Sequence, residues 1–145
     1  MSKHPLAILV AMAMLGPLTS AALTPAHAAD PPPYTIENGR VDKNTFNGYR
    51  RYGESCLRCH GPDGAGSSYA PDLTQSLQSM TKEQFEEVVI NGRQDVNQAN
   101  SNVMPSFGTT EDVVDYLDDI YGYLKGRSDG KIPRGRPKRI GDDDD

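Results

Sequence analysis

The sequence predicts an all-α domain of three main helices joined by long loops, and three observations carry that reading. Apolar residues recur at helical spacing in three separate segments. No stretch alternates convincingly with the two-residue period of a half-buried strand. The 145 residues include 14 glycines and 11 prolines, so much of the chain between the helical segments is loop. The first helix is predicted from Asp42 to Gly53, with Asp42 as its N-cap and Phe46, Tyr49 and Tyr52 on roughly one face. The second, Thr81 to Asn91, is the best marked. Thr81 and Gln84 form a capping box, Phe85, Val88 and Val89 make the apolar stripe, and Gly92 sits where a left-handed stop is wanted. The third starts at Thr109 or Thr110 and runs to about Lys125, with Val113, Leu117, Ile120 and Leu124 on one face. Glu111 and Asp112 suit its positive end, and Lys125 and Arg127 its negative end. Gly61 to Asp72 is turn chemistry throughout, and Gln94 to Gly108 is predicted as polar loop.

Residues 1–28 read as a secretory signal peptide. The apolar run Leu6 to Leu15 is broken by Gly16 and Pro17, and Ala26-His27-Ala28 marks a cut after Ala28. The run is too short to span a bilayer. The alternative is an uncleaved N-terminal anchor. The expected mature protein is exported, periplasmic and not membrane-spanning. Residues 29–40 form a proline-rich, extended lead-in, residues 41–126 the domain, and residues 127–145 a basic then acidic tail expected to be flexible. With no tryptophan and three phenylalanines, so short a chain has a thin core. That excludes a barrel enzyme, a dinucleotide fold and a multi-span membrane protein. Long loops between few helices count against a compact domain unless they wrap a large rigid ligand. A cofactor is therefore expected at the centre.

Charge is unevenly placed. From Asp30 to Lys125 the net is −7, and from Gly126 to Gly141 it is +5, before the terminal run Asp142 to Asp145. This asymmetry favours a charged protein partner, with plain solvated surface as the alternative. It argues against nucleic acid, whose phosphates the acidic body would repel.

Beyond the signal segment, His60 is the sole histidine, and Met80 and Met104 are the sole methionines. Cys56-Leu57-Arg58-Cys59-His60 is C-x-x-C-H, the attachment signature of haem c. Two sulfurs three positions apart reach the two vinyl groups on one edge of a porphyrin and form thioethers, and the next histidine places its imidazole on the iron. A zinc site needs four ligands, and Cys56, Cys59 and His60 have no further cysteine or histidine to join them. A thioredoxin-like pair follows a strand, and none is predicted here. A plain disulfide suits an oxidising compartment but leaves the loops and the histidine unexplained. An electron carrier needs a second axial ligand, and a thioether sulfur is a soft donor that raises the potential. Met104, in the Asn102-Val103-Met104-Pro105-Ser106-Phe107-Gly108 loop, is favoured over Met80, whose place before the Thr81 cap makes it half of a hydrophobic staple with Phe85. Pro71 is expected to accept the other N–H of His60. Arg93 is a candidate partner for a haem propionate, or else a solvent-facing arginine at a helix end.

These residues resemble a class I cytochrome c over roughly Val41 to Gly126. In that family a glycine and an aromatic before the haem motif cross an aromatic–leucine pair near the chain end. Gly48 and Tyr52 match the first pair, and both Tyr116-Leu117 and Tyr123-Leu124 fit the second. The M-P-x-F loop at Met104 matches the family's sixth-ligand pattern. The segments 45–52, Val89-Ile90-Asn91-Gly92-Arg93-Gln94, 102–105 and 116–121, with the tail Arg134-Gly135-Arg136-Pro137, are similar to small periplasmic bacterial cytochromes associated with methanol oxidation. The resemblance implies a one-electron carrier, not an enzyme. Its donor would be a quinoprotein (PQQ-dependent, including lanthanide-type) methanol or alcohol dehydrogenase, and its acceptor a further cytochrome or an oxidase. The rival readings are the haem-bearing subunit of a larger dehydrogenase, and an open-site haem peroxidase or gas sensor.

Overall fold

The computed structural model describes residues 31–96 and 101–142. The expected signal peptide and the last three aspartates lie outside the described residues. The first long helix, α1, spans Lys43–Ser55. Asp42 caps it, accepting from the backbone N–H of Asn44 and Thr45 at 2.9 and 3.0 Å and from the Thr45 hydroxyl at 2.6 Å. The same carboxylate also takes the Thr35 N–H at 2.7 Å, tying the lead-in to the helix. Partial burial works against its charge, but the Thr45, Thr35 and Asn44 hydrogen bonds outweigh it and hold the carboxyl below its usual range. A depressed carboxyl stabilises the fold above its unfolded-state value, and that contribution is lost as pH falls through the folded value. Asp42→Ala is therefore expected to cost about 1 kcal/mol at neutral pH. In urea titrations the gap from wild type should close as the pH drops below the ordinary carboxylate range. A gap independent of pH would contradict this assignment.

Two short helices, α2 at Leu57–His60 and α3 at Leu73–Ser76, flank a single turn at Pro62–Gly64. Then α4 spans Lys82–Asn91, with both halves of the predicted capping box formed: Gln84 N–H to Thr81 Oγ1 at 3.3 Å, and Thr81 N–H to Gln84 Oε1 at 3.0 Å. The predicted third helix is two pieces, α5 at Glu111–Val114 and α6 at Leu117–Ser128. Tyr116 breaks it with φ −118° and ψ 22°. Thr110 stands at the α5 N-cap, but its side chain makes no capping bond.

The polar loop expected from Gln94 to Gly108 is corrected by the structure. Strands β3 (Arg93–Val96) and β4 (Ser101–Met104) pair antiparallel, with Arg93 opposite Met104. Neither strand alternates apolar with polar, so no periodic signal marks them, and backbone ladder bonds define the pair. A second sheet, ordered β1-β2-β5, joins Ile36–Glu37, Arg40–Val41 and Lys138–Arg139, the last pair parallel. Residues 129–142, expected in a flexible tail, lie back on the body. Ile132 is 1% exposed, its N–H bonds to Gly126 O, and Ile140 N–H bonds to Val41 O.

The core lies between α1 and α6. A Cβ on Gly48 would stand 1.8 Å from the Asp119 carbonyl oxygen, so the two backbones touch there. Tyr123, fully buried, packs its ring 5.5 Å from Tyr49 and 5.7 Å from Tyr52. Tyr123-Leu124 is thus the pair that faces α1 at Tyr52. Tyr116 instead carries the Arg51 guanidinium over its ring at 4.3 Å. No helix among the described residues is long and apolar enough to cross a membrane.

Candidate functional site

Cys56 closes α1 and opens α2, so the motif hangs directly on the main helix crossing. Cys59 and His60 both donate their N–H to Cys56 O, at 3.1 and 3.0 Å, which sets the two thiols and the imidazole on one helical turn. Both cysteines are free thiols, Cys56 half-buried and Cys59 exposed. Burial, with Cys59 beside it, pushes the Cys56 thiol up to about 11. A catalytic dithiol needs a depressed value instead. A buried, protonated thiol is a poor nucleophile for thiol–disulfide exchange.

His60 is 6% exposed, and its Nδ1 lies 3.1 Å from Pro71 O. With Nδ1 donating to that carbonyl, Nε2 carries the free lone pair, and the ring orientation is set. The loop after His60 is braced by a group the sequence reading assigned only to packing. The Tyr52 hydroxyl donates to Gly61 O and accepts from Gly64 N–H at 3.1 Å. Burial pushes that hydroxyl up to about 12, so it stays a neutral donor. The signal available in the sequence was a tyrosine, with its polar handle, at a position where ring packing alone asks for phenylalanine. Gly66 N–H to His60 O at 2.7 Å closes the same loop.

Met104 ends β4, half-buried against the core cluster together with Met80 and Phe107. Its loop is sewn to the end of α4. Phe107 N–H bonds to Val89 O at 3.0 Å, Gly108 N–H to Ile90 O at 3.1 Å, and the Ser106 hydroxyl to Ile90 O at 2.5 Å. Gly92, at φ +75°, ends α4 so close to this loop that a Cβ would stand 2.7 Å from Met104 O. Only glycine satisfies both demands. The Arg93 side chain is exposed and, with Met80, lines a cavity of about 680 Å³ beside α3 and α4. The structure thus joins His60 to Pro71 by a hydrogen bond and pairs Arg93 with Met104 across the β-ladder.

Among the described residues, no three His, Cys, Asp or Glu side chains converge as a protein-only metal site. A metal brought in with its own nitrogen macrocycle needs just two axial protein ligands. The donor set fits such a group: two free thiols on one turn, and an imidazole with one nitrogen occupied and the other free.

A family model described as cytochrome c oxidase, cbb3-type, subunit III matches residues 43–124. The chain belongs to the class I c-type cytochromes, whose prosthetic group is covalently bound haem c, and Cys56 to His60 supply their C-x-x-C-H pattern. Among its relatives, cytochrome c-553I of Paracoccus denitrificans is 51% identical over 119 residues, covering 81% of this chain and 53% of that protein. This chain therefore spans about half the length of that relative. Cytochrome c-555 of Methylococcus capsulatus is 44% identical over 96 residues, 66% of this chain and 72% of that one. The crystal structure of the c-type cytochrome XoxG from Methylobacterium extorquens AM1 superimposes with a TM-score of 0.68 at 41% identity, covering 76% of this chain and 67% of that one.

Proposed function

We propose that this cytochrome is a periplasmic one-electron carrier with His60 and Met104 as axial ligands, thioether links at Cys56 and Cys59, and a quinoprotein methanol or alcohol dehydrogenase as donor. The observation that carries the reading is His60: buried, oriented through Nδ1 by Pro71, and left with Nε2 free on the same turn as two unpaired thiols. Bound there, the haem supplies a one-electron couple. The residues do the rest. Pro71 O fixes the imidazole tautomer and the orientation of the ring. Tyr52 holds the loop between Gly61 and Gly64 against α1. The α4–Phe107 and α4–Gly108 bonds hold the Met104 loop in place, and Arg93 stands beside that loop as the cation for a propionate. If both axial positions are filled, no open site remains for substrate, and electron transfer is the chemistry left. The electron then passes to a further cytochrome or an oxidase. The likeness to XoxG, together with the resemblance of segments 45–52, 89–94, 102–105 and 116–121 to cytochromes associated with methanol oxidation, supports this class of donor.

Redox encounters use small transient interfaces, and charge steering makes them salt-dependent. Stopped-flow mixing of the ferric protein with a purified PQQ-dependent methanol dehydrogenase plus substrate is expected to give rapid reduction that slows as salt rises. No reduction by any such dehydrogenase would defeat the donor assignment. A rate flat from low to high salt would defeat the steering.

A further inference from the structure

The segment after α6 lies beyond the matched span 43–124, and the structure gives it a defined course. From Ile132 it crosses the turn that follows His60, where Asp63 accepts the Gly135 N–H at 2.9 Å and faces Arg134 Nε at 3.4 Å. It then passes Phe46, whose ring lies 5.2 Å from the Arg136 guanidinium, and ends as β5 beside β2. Its exposed residues include Lys131, Arg134 and Arg136. Among the described residues, the carboxylates along this course are already engaged: Asp63 by Gly135 and Arg134, Asp129 by Lys125 and Tyr34, and Asp142 by Arg139. The strap is thus a localised positive surface on a molecule whose body is acidic. Asp112 and Asp118, 68% and 76% exposed, belong to α5 and α6 in that body.

Beside the strap lies a groove of about 350 Å³, lined by Gly135, Arg50, Leu57, Glu54 and Asp63 among others; both of its carboxylates are already engaged, Glu54 by Arg50 and Arg51 and Asp63 by Arg134 and the Gly135 N–H. Leu57, 43% exposed, stands between the two cysteines. Tyr123 also lines the groove, and its buried hydroxyl has no hydrogen-bond partner among the described residues. The exposed cations Lys131 and Arg136 at the edge ask for a carboxylate-bearing segment, and Leu57 offers it an apolar contact.

We propose that the strap 131–138 and the groove beside Leu57 form a docking surface for an acidic segment of a redox-partner protein. The identification of the partner as redox rests on the electron-carrier reading; the acidic chemistry of the occupant does not. Docked there, the partner covers the residue between the thioether positions, so electrostatic recognition and electron exchange share one face.

The test uses the full-length ¹⁵N-labelled ferrous holoprotein, titrated at low salt with a capped hexaglutamate peptide and followed by amide shifts. Perturbations centred on Arg134 to Arg136, Leu57 and Arg50 are expected. The double variant Lys131→Gln/Arg136→Gln should bind about tenfold more weakly. The charge-keeping Lys131→Arg/Arg136→Lys should bind as wild type does, which separates charge from any loss of strap packing. Shifts centred on α4 and α5, or equal affinity in the neutralised variant, would overturn the proposal. Because no dehydrogenase enters this titration, peptide binding without reduction would count against the donor assignment alone, and reduction without peptide binding would count against the strap alone.

Discussion

Met104→Ala is expected to lower the reduction potential by roughly 0.2 V, within the span of about 0.8 V that axial ligands control. Thioether sulfur stabilises the reduced iron, and alanine offers no donor in its place. The ferric protein should lose the weak red absorption band of a thioether–iron bond, and the ferrous protein should bind carbon monoxide readily where wild type resists it. The informative comparison is Met80→Ala. Met80 lines the cavity and packs against the cluster that holds Phe85, and it directly precedes the α4 cap. Its loss should destabilise the fold by about 2–3 kcal/mol, the lower part of the range for Met→Ala in a core. The potential and the red band should stay close to wild type. If Met80→Ala abolishes the band and Met104→Ala leaves it, the ligand assignment is reversed.

Gly48→Val should prevent the holoprotein from accumulating. A Cβ at this position would lie 1.8 Å from the Asp119 carbonyl oxygen, 2.3 Å from its carbon and 2.9 Å from the Ile120 nitrogen. All three are backbone atoms, so no rotamer change relieves the contact, and α1 must lift off α6. Overpacking costs typically about 1–3 kcal/mol and occasionally more, against a total stability of about 5–15 kcal/mol. The displaced surface is the one that carries Tyr52, so the loop after His60 loses its brace as well. Gly53, also in α1, has open space where a Cβ would stand, with nothing within 4 Å, and Gly53→Ala should stabilise the helix by about 0.5–1 kcal/mol. The yield of holoprotein for Gly48→Val, and thermal unfolding for Gly53→Ala, check the contrast. A Gly48 variant that accumulates and unfolds as wild type does would show that the close crossing is not needed.

What could be read from the sequence was local. Asp42 and the Thr81–Gln84 box announce two helix starts because a cap is a contact between residues two or three apart. C-x-x-C-H shows for the same reason. The His60–Pro71 bond, eleven residues apart, could be anticipated only because an imidazole ligand needs a carbonyl and the turn after the motif supplies one. The parts that escaped are non-local. β5 pairs with a strand almost a hundred residues earlier, and its two-residue length carries no period. The β3–β4 ladder is built from Arg93-Gln94-Asp95-Val96 and Ser101-Asn102-Val103-Met104, which read as polar loop. The break at Tyr116 divides a segment whose apolar spacing runs through uninterrupted, and the Tyr116 ring there meets Arg51 of α1, a contact sixty-five positions away in the chain. Asp63, at φ 61°, holds Gly135 across seventy-two positions. No pattern within a single segment reports such a clasp.

The central claim is that one haem is bound covalently through Cys56 and Cys59. Mass spectrometry of the exported, purified protein tests it most directly. The intact chain should be heavier by a single haem, and a proteolytic peptide spanning Ser55 to Gly61 should retain the group through both sulfurs. A colourless polypeptide of bare mass, with both thiols free to alkylate or joined as a disulfide, would contradict it.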